Sequence, residues 1–180
     1  IFVQFTPTAV QTYNGNIAVA GGGASAAINV AATGAGNNTA PSLTTGAASS
    51  ITINSATVAG TITAAGCTAV TAYGIEYSLT SGFANGSGTP AASTNLAAGN
   101  FSVALSALAA NTFYYYKAYA TNSGGTTYGT QQSFKTAAPV LTATPLTAFG
   151  NVCLNSTLGP NSFSITSTVL GTGNVTVGPL

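Results

Sequence analysis

Apolar residues in this chain recur at every second position in short runs, and Gly, Asn, Pro and Ser separate the runs. That is the period of a half-buried strand, not of a helix. The clearest run is Tyr114-Tyr-Tyr-Lys-Ala-Tyr-Ala120. Tyr114, Tyr116, Ala118 and Ala120 should face one way, and Tyr115, Lys117 and Tyr119 the other. Leu108 ahead of Tyr114 fits a tyrosine corner, in which the phenol folds back over the preceding turn and bonds the backbone a few residues upstream. The neighbouring runs read as partners of this strand. Residues 50–53 and 56–63 suit the first two strands of a sandwich, with Ala56, Val58 and Ile62 inward. Residues 72–78 place Tyr73, Ile75 and Tyr77 inward, and residues 100–105 do the same for Phe101, Val103 and Leu105. Between them, 80–95 reads as a polar loop with one short edge strand. Asn122-Ser-Gly-Gly125 turns the chain into a last strand over 127–136, with Phe134 in the core. Seven short strands separated by turn signals predict a β-sandwich.

The flanks carry the same alternation but fewer runs. Residues 1–6 read as a strand already under way. A hairpin turn is expected at Tyr13-Asn-Gly-Asn16, because Asn-Gly tolerates positive φ. A strand over 17–20, a turn at Gly21-Gly-Gly23 and a strand over 26–33 follow, and then a Gly- and Asn-rich linker over 34–42 closed by Pro41. Beyond Pro139, an opening strand with a Pro break is expected over 140–145 and 148–152, followed by strands at 162–166 and 174–177. Each flank supplies about half a sandwich core. Either the sequence is a piece of a longer array cut out of phase with its domains, or its two ends pair to complete one domain; the first is the more economical expectation.

Composition narrows the chemistry. Of 180 residues only 2% are charged, against roughly 25% in an average soluble domain. The charges are Glu76, Lys117 and Lys135, and there is no His. General acid–base catalysis draws on His or paired carboxylates, and a Ser or Thr nucleophile needs a base, so we expect no enzyme and no catalytic residue. Zinc and calcium sites need clusters of Cys, His or carboxylates, so no metal and no cofactor is expected. A net charge of +1 offers no basic surface for nucleic acid. No apolar run of about 18 residues is present to insert in a membrane as a helix. With 46% hydrophobic residues and so little charge, the chain is not of disordered composition.

Leu108…Thr112-Phe-Tyr114…Ala118-Tyr-Ala-Thr-Asn122-Ser-Gly124, followed by Tyr128-Gly129 and Phe134, resembles the end of a fibronectin type III module. The resemblance spans roughly residues 41–138. Ala110 stands where Pro is usual and the second strand lacks Trp, which looks more like the Ala/Thr/Gly-rich modules in secreted proteins of Bacteroidota. The stretch LTATPLTAFGNV resembles the first strands of immunoglobulin-like choice-of-anchor domains, and VQFTPTAVQTYNGNIAVAGGG resembles their closing strands. The resemblance implies an all-β repeat array of tandem β-sandwiches. Residues 1–38 would end one immunoglobulin-like domain, 39–138 would form the fibronectin-like domain, and 139–180 would begin the next immunoglobulin-like domain. In such an array the loop bearing Cys67 lies at the pole where the chain comes in, and Cys153 lies at the exit pole of its own domain. Cys153 of one unit should then meet Cys67 of the next, and a disulfide across that junction is expected if the sulfurs reach about 2.05 Å.

Glu76, Lys117 and Lys135 should all point outward from one sheet. With Tyr115 and Tyr119 they make a candidate assembly or ligand face, although a plain exposed cross-strand pair would account for the same charges. A Lys–Asn isopeptide staple would need its lysine and its acid buried together, and the outward parity argues against one. The expected role is a structural repeat unit of an extracellular filament or cell-surface adhesin stalk, whose partners are further copies of itself. The alternative is a carbohydrate- or surface-binding module, in which Tyr115, Tyr119, Tyr128 and Phe113 form an aromatic strip for a glycan. Ice binding needs regular Thr ranks, and Thr here is irregularly spaced. The Asn-x-Ser/Thr triplets at Asn37, Asn85, Asn100, Asn155 and Asn174 are expected by chance in so Asn- and Thr-rich a chain.

Overall fold

The computed structural model describes residues 3–23, 26–145, 150–151, 153–156 and 162–167. Every regular element among them is a strand. In chain order these are β1 (Thr12–Val19), β2 (Ile28–Ala35), β3 (Ser42–Ser49), β4 (Ala56–Ala64), β5 (Ala72–Ser78) and β6 (Thr89–Ala92). They continue with β7 (Asn100–Leu105), β8 (Phe113–Asn122), β9 (Gly125–Tyr128), β10 (Gln132–Lys135), β11 (Leu141–Ala143) and β12 (Ile165–Ser167). The centre is a two-layer sandwich. One layer is the antiparallel sheet β3-β4-β7; the other runs β10-β8-β5-β6, with β9 also paired to β8.

Alternation places the core between the layers. Along β8 every second side chain, from Tyr114 to Asn122, is buried. Of these, Tyr114, Tyr116 and Ala118 join Val58 from β4, Ile75 from β5, Phe101, Val103 and Leu105 from β7, and Phe134 from β10 in one cluster. Tyr116 crosses the core and its hydroxyl donates to the Gly46 carbonyl of the facing sheet at 2.9 Å. Gly60 is needed where Phe101 lies over β4, since a Cβ there would sit 2.4 Å from the ring. Ala118 of the facing layer would stand 2.9 Å from the same Cβ, so the two layers approach closely at this glycine and any side chain would overpack the core.

The edge strand β3 lies eight residues upstream of where the apolar pattern placed it. Residues 50–53 are in no strand; a tight turn runs from Thr52 to Ser55 instead, in which Thr52 Oγ1 accepts from the Ser55 N–H at 3.0 Å. The run Leu-Thr-Thr-Gly-Ala-Ala conceals its period because pairing with β4 shifts register between Thr45 and Ala48. Such a bulge breaks the period-2 signal. The strand expected over 127–136 is two strands. At the break, Gly129 donates to Ala118 O at 2.9 Å, and a Cβ on Gly129 would collide with the backbone nitrogen of Thr45 at 2.7 Å. Thr45 Oγ1 accepts from the Ala118 N–H at 3.0 Å, so β3 takes the place that an unbroken last strand would have occupied.

The N-terminal flank is one hairpin, not three strands. Tyr13-Asn-Gly-Asn16 lies inside β1, with Asn14 opposite Thr33 and Gly15 opposite Ala32. Three consecutive glycines, Gly21, Gly22 and Gly23, all have positive φ and make the turn. They outcompete Asn-Gly, which permits such angles without requiring them. Residues 3–7 are not in a strand, and Gly34 and Ala35 of the expected linker belong to β2. On the other flank β11 pairs with β12. Among the described strands the two short sheets do not pair with each other. The strand expected at 174–177 and most of that at 148–152 lie outside the described residues.

Candidate functional site

The outer face of the β10-β8-β5-β6 sheet carries most of the side chains that chemistry could use. Antiparallel register sets Glu76 on β5 directly opposite Lys117 on β8, and Lys135 on β10 opposite Phe113. Tyr115, Lys117 and Tyr119 share this face and are half-buried. The sheet therefore brings Glu76 and Lys117 together and leaves Lys135 at the far end. There the Lys135 ammonium stands 5.4 Å from the centre of the Phe113 ring.

Glu76 is not the exposed charge that parity alone suggests. It is 3% exposed, because the loop between β5 and β6 folds back over it. The Gly86 N–H donates to Glu76 Oε2 at 3.0 Å, and the Gly88 N–H donates to Oε1. Lys117 holds the other side of the loop. Its ammonium donates to the Phe83 carbonyl at 2.7 Å and to Asn85 Oδ1 at 2.9 Å, and lies 4.6 Å from the centre of the Phe83 ring. Gln131 adds a third tie, its Oε1 accepting from the Gly82 N–H at 3.0 Å. A buried carboxylate is tolerable only when it is hydrogen-bonded, and the loop backbone supplies the donors. Gly86 has φ +80°, and a Cβ on Gly88 would stand 2.9 Å from Glu76 Cγ. Phe83, Asn85 and these loop glycines are participants that the strand pattern does not reveal. The sequence signal was present in Gly82, Gly86 and Gly88 crowded around one aromatic residue.

Beside the covered carboxylate runs a shallow groove of about 310 Å³, lined by Glu76, Pro90, Tyr119, Thr121, Thr126 and Tyr128 among others. Tyr119 and Tyr128 face each other across the β8–β9 ladder, with ring centres 6.2 Å apart. Burial, and then the negative charge of Glu76, push both phenols above their ordinary pKa. Tyr115 and Phe113 lie on the far side of the docked loop, so the four rings do not make one continuous strip. The groove offers two rings, two threonine hydroxyls and one occupied carboxylate.

Tyr114 occupies the corner position. Its hydroxyl accepts from the Ala109 N–H at 2.9 Å, with Leu108 buried beneath. At the opposite pole Asn122, a buried residue the sequence did not single out, donates from Nδ2 to the carbonyls of Thr39 and Ala65, while its Oδ1 accepts from the Gly124 N–H. This ties the incoming segment to the loop bearing Cys67. The Cys67 N–H donates to Thr39 O at 3.3 Å, and Thr39 Oγ1 stands 3.2 Å from Cys67 Sγ. That hydroxyl holds the Cys67 thiol below its ordinary pKa. Cys67 and Cys153 are both exposed free thiols.

No protein-family model matches this sequence, and no curated protein does. Solved structures similar to it include the sensor domain of the anti-sigma factor RsgI4 from Pseudobacteroides cellulosolvens. It is 20% identical, with 54% of this chain and 95% of that one covered and a TM-score of 0.41. A fibronectin type III domain from the human KIAA0970 protein is 14% identical over 67% of this chain and 85% of that one, with a TM-score of 0.36. A computationally redesigned β-sandwich is 19% identical over 54% of this chain and 94% of its own, also with a TM-score of 0.36.

Proposed function

We propose that this sandwich is a structural repeat unit of an extracellular filament or cell-surface adhesin stalk, and that it assembles with further copies of itself. The observation that carries this reading is a completed sandwich between two short sheets that leave several large apolar side chains facing solvent. Ile28 is 69% exposed on the first short sheet and Leu141 is 54% exposed on the second. A two-stranded sheet is marginal alone and gains stability when its apolar side chains are covered. In this reading residues 1–38 and 139–180 would be halves of immunoglobulin-like domains on either side of a fibronectin-like domain at 39–138, and a neighbouring copy would supply the cover. A surface of Thr, Ser, Asn and Gly lets copies approach without charge repulsion. In this reading the unit is secreted, performs no catalysis, binds no nucleic acid and inserts in no membrane. A Cys153–Cys67 disulfide between successive units would stiffen the junction. Electron microscopy of the native material tests this. A continuous filament is the expected image, and isolated, non-associating particles would overturn the assembly role.

A second reading rests on the groove between Tyr119 and Tyr128, whose rings and threonine hydroxyls suit a neutral sugar. A glycan array probes it: binding that disappears in Tyr119→Ala would favour a carbohydrate-binding module.

A further inference from the structure

We propose that Lys117 and Asn85 are joined by an intramolecular isopeptide bond, formed autocatalytically with Glu76 as the proton carrier. Outward parity would leave both the lysine and the acid exposed, whereas the docked loop buries Glu76 and lays the Phe83 ring over the half-buried Lys117. The chain has one carboxylate and two lysines. It buries the carboxylate and places one lysine directly across the ladder from it. Cross-strand partners on one face have Cβ atoms about 4.5–5.5 Å apart, which sets both side chains beneath the same loop. Lys117 Nζ already lies 2.9 Å from the carboxamide oxygen of Asn85. The Phe83 ring covers the ammonium, and the N–H groups of Gly86 and Gly88, one and three residues beyond Asn85, fix the carboxylate. A reactive pair held this way gains the rate advantage of pre-paid orientation.

The step balances without any outside reagent. The Lys117 ammonium gives a proton to the Glu76 carboxylate, and the free amine attacks Asn85 Cγ. The Nζ–Cγ bond forms and the Cγ–Nδ2 bond breaks. Nδ2 leaves as ammonium, taking the second Nζ proton and the one carried by Glu76, which returns to its ionised form. The product is a secondary amide between β8 and the loop. This proposal does not depend on the assembly role, because a single unassociated chain would form the same bond.

Mass spectrometry of the full chain after denaturation tests it. The expected mass is that of the sequence less one ammonia, and a chymotryptic digest should contain a branched peptide joining Asn85 to Lys117. Trypsin should cut the denatured chain after Lys135 but not after Lys117. Lys117→Arg keeps a cation over Phe83 and should restore the full mass, as should Glu76→Gln. An unmodified mass in the wild-type chain would overturn the proposal. So would an ammonia deficit that survives in Lys117→Arg, which would identify a succinimide at Asn85-Gly86 instead. The Gly86 N–H needed for that ring closure is committed to Glu76.

Discussion

Single residues in this protein act through the backbone groups they satisfy. Tyr114→Phe removes the acceptor of the Ala109 N–H while keeping the ring in place. The loss should cost about 1 kcal/mol, read as a lower urea midpoint at unchanged slope. Thr39 lowers the Cys67 pKa first through its hydroxyl and then through its backbone. Its hydroxyl stabilises the thiolate, and the thiolate is the nucleophile. Thr39→Ala should therefore slow alkylation of Cys67 by iodoacetamide at neutral pH, with Cys153 in the same molecule as the internal reference. An unchanged rate would show that the hydroxyl does not reach the sulfur in solution. Asn122 could not be chosen from the sequence, because its polar contacts reach residues 57 and 83 positions away.

At the scale of the element, the loop between β5 and β6 matters most. It was legible only as a polar, glycine-rich connection, yet it is fastened by Glu76, Lys117 and Gln131 and covers the middle of the sheet. Gly88→Val puts a branched side chain where a Cβ alone is 2.8 Å from the Tyr77 carbonyl. The loop should lift, and hydrogen exchange at 82–88 should rise well before exchange in β8 does. Protection unchanged from wild type would mean the loop adjusts without leaving Glu76. Strands β5, β7 and β8 were readable because large apolar residues mark every second position. Strand β3 was not, because Ala, Thr and Gly carry little contrast and a bulge breaks their period.

For the whole molecule, the shortage of charge governs the response to solvent. Burial raises the pKa of Tyr116, Tyr119 and Tyr128, and the Glu76 charge adds to the last two. In the unfolded chain these phenols ionise near pH ~10, while the native state still holds their protons. Between the two values the native state binds more protons, so stability falls as pH rises. The tyrosine contribution should be complete below pH ~10 and lost progressively above it. Thermal melts across this range should fall together with the appearance of tyrosinate absorbance. Melts near neutrality should change little with added salt, because screening has few charges to act on. A melting temperature that climbs with alkalinity would contradict the placement of these rings.

The sequence alone determined the strand class, the inward and outward sets on β5, β7 and β8, the tyrosine corner and the scarcity of ionisable groups. Those properties follow from local period and residue type. Tertiary structure alone decided that Glu76 is covered, that Lys117 reaches Asn85, that Thr45 interrupts the last strand, and that glycines rather than Asn-Gly turn the first hairpin. Each of these depends on which distant backbone comes close, and alternation along one strand carries no information about what folds over its face.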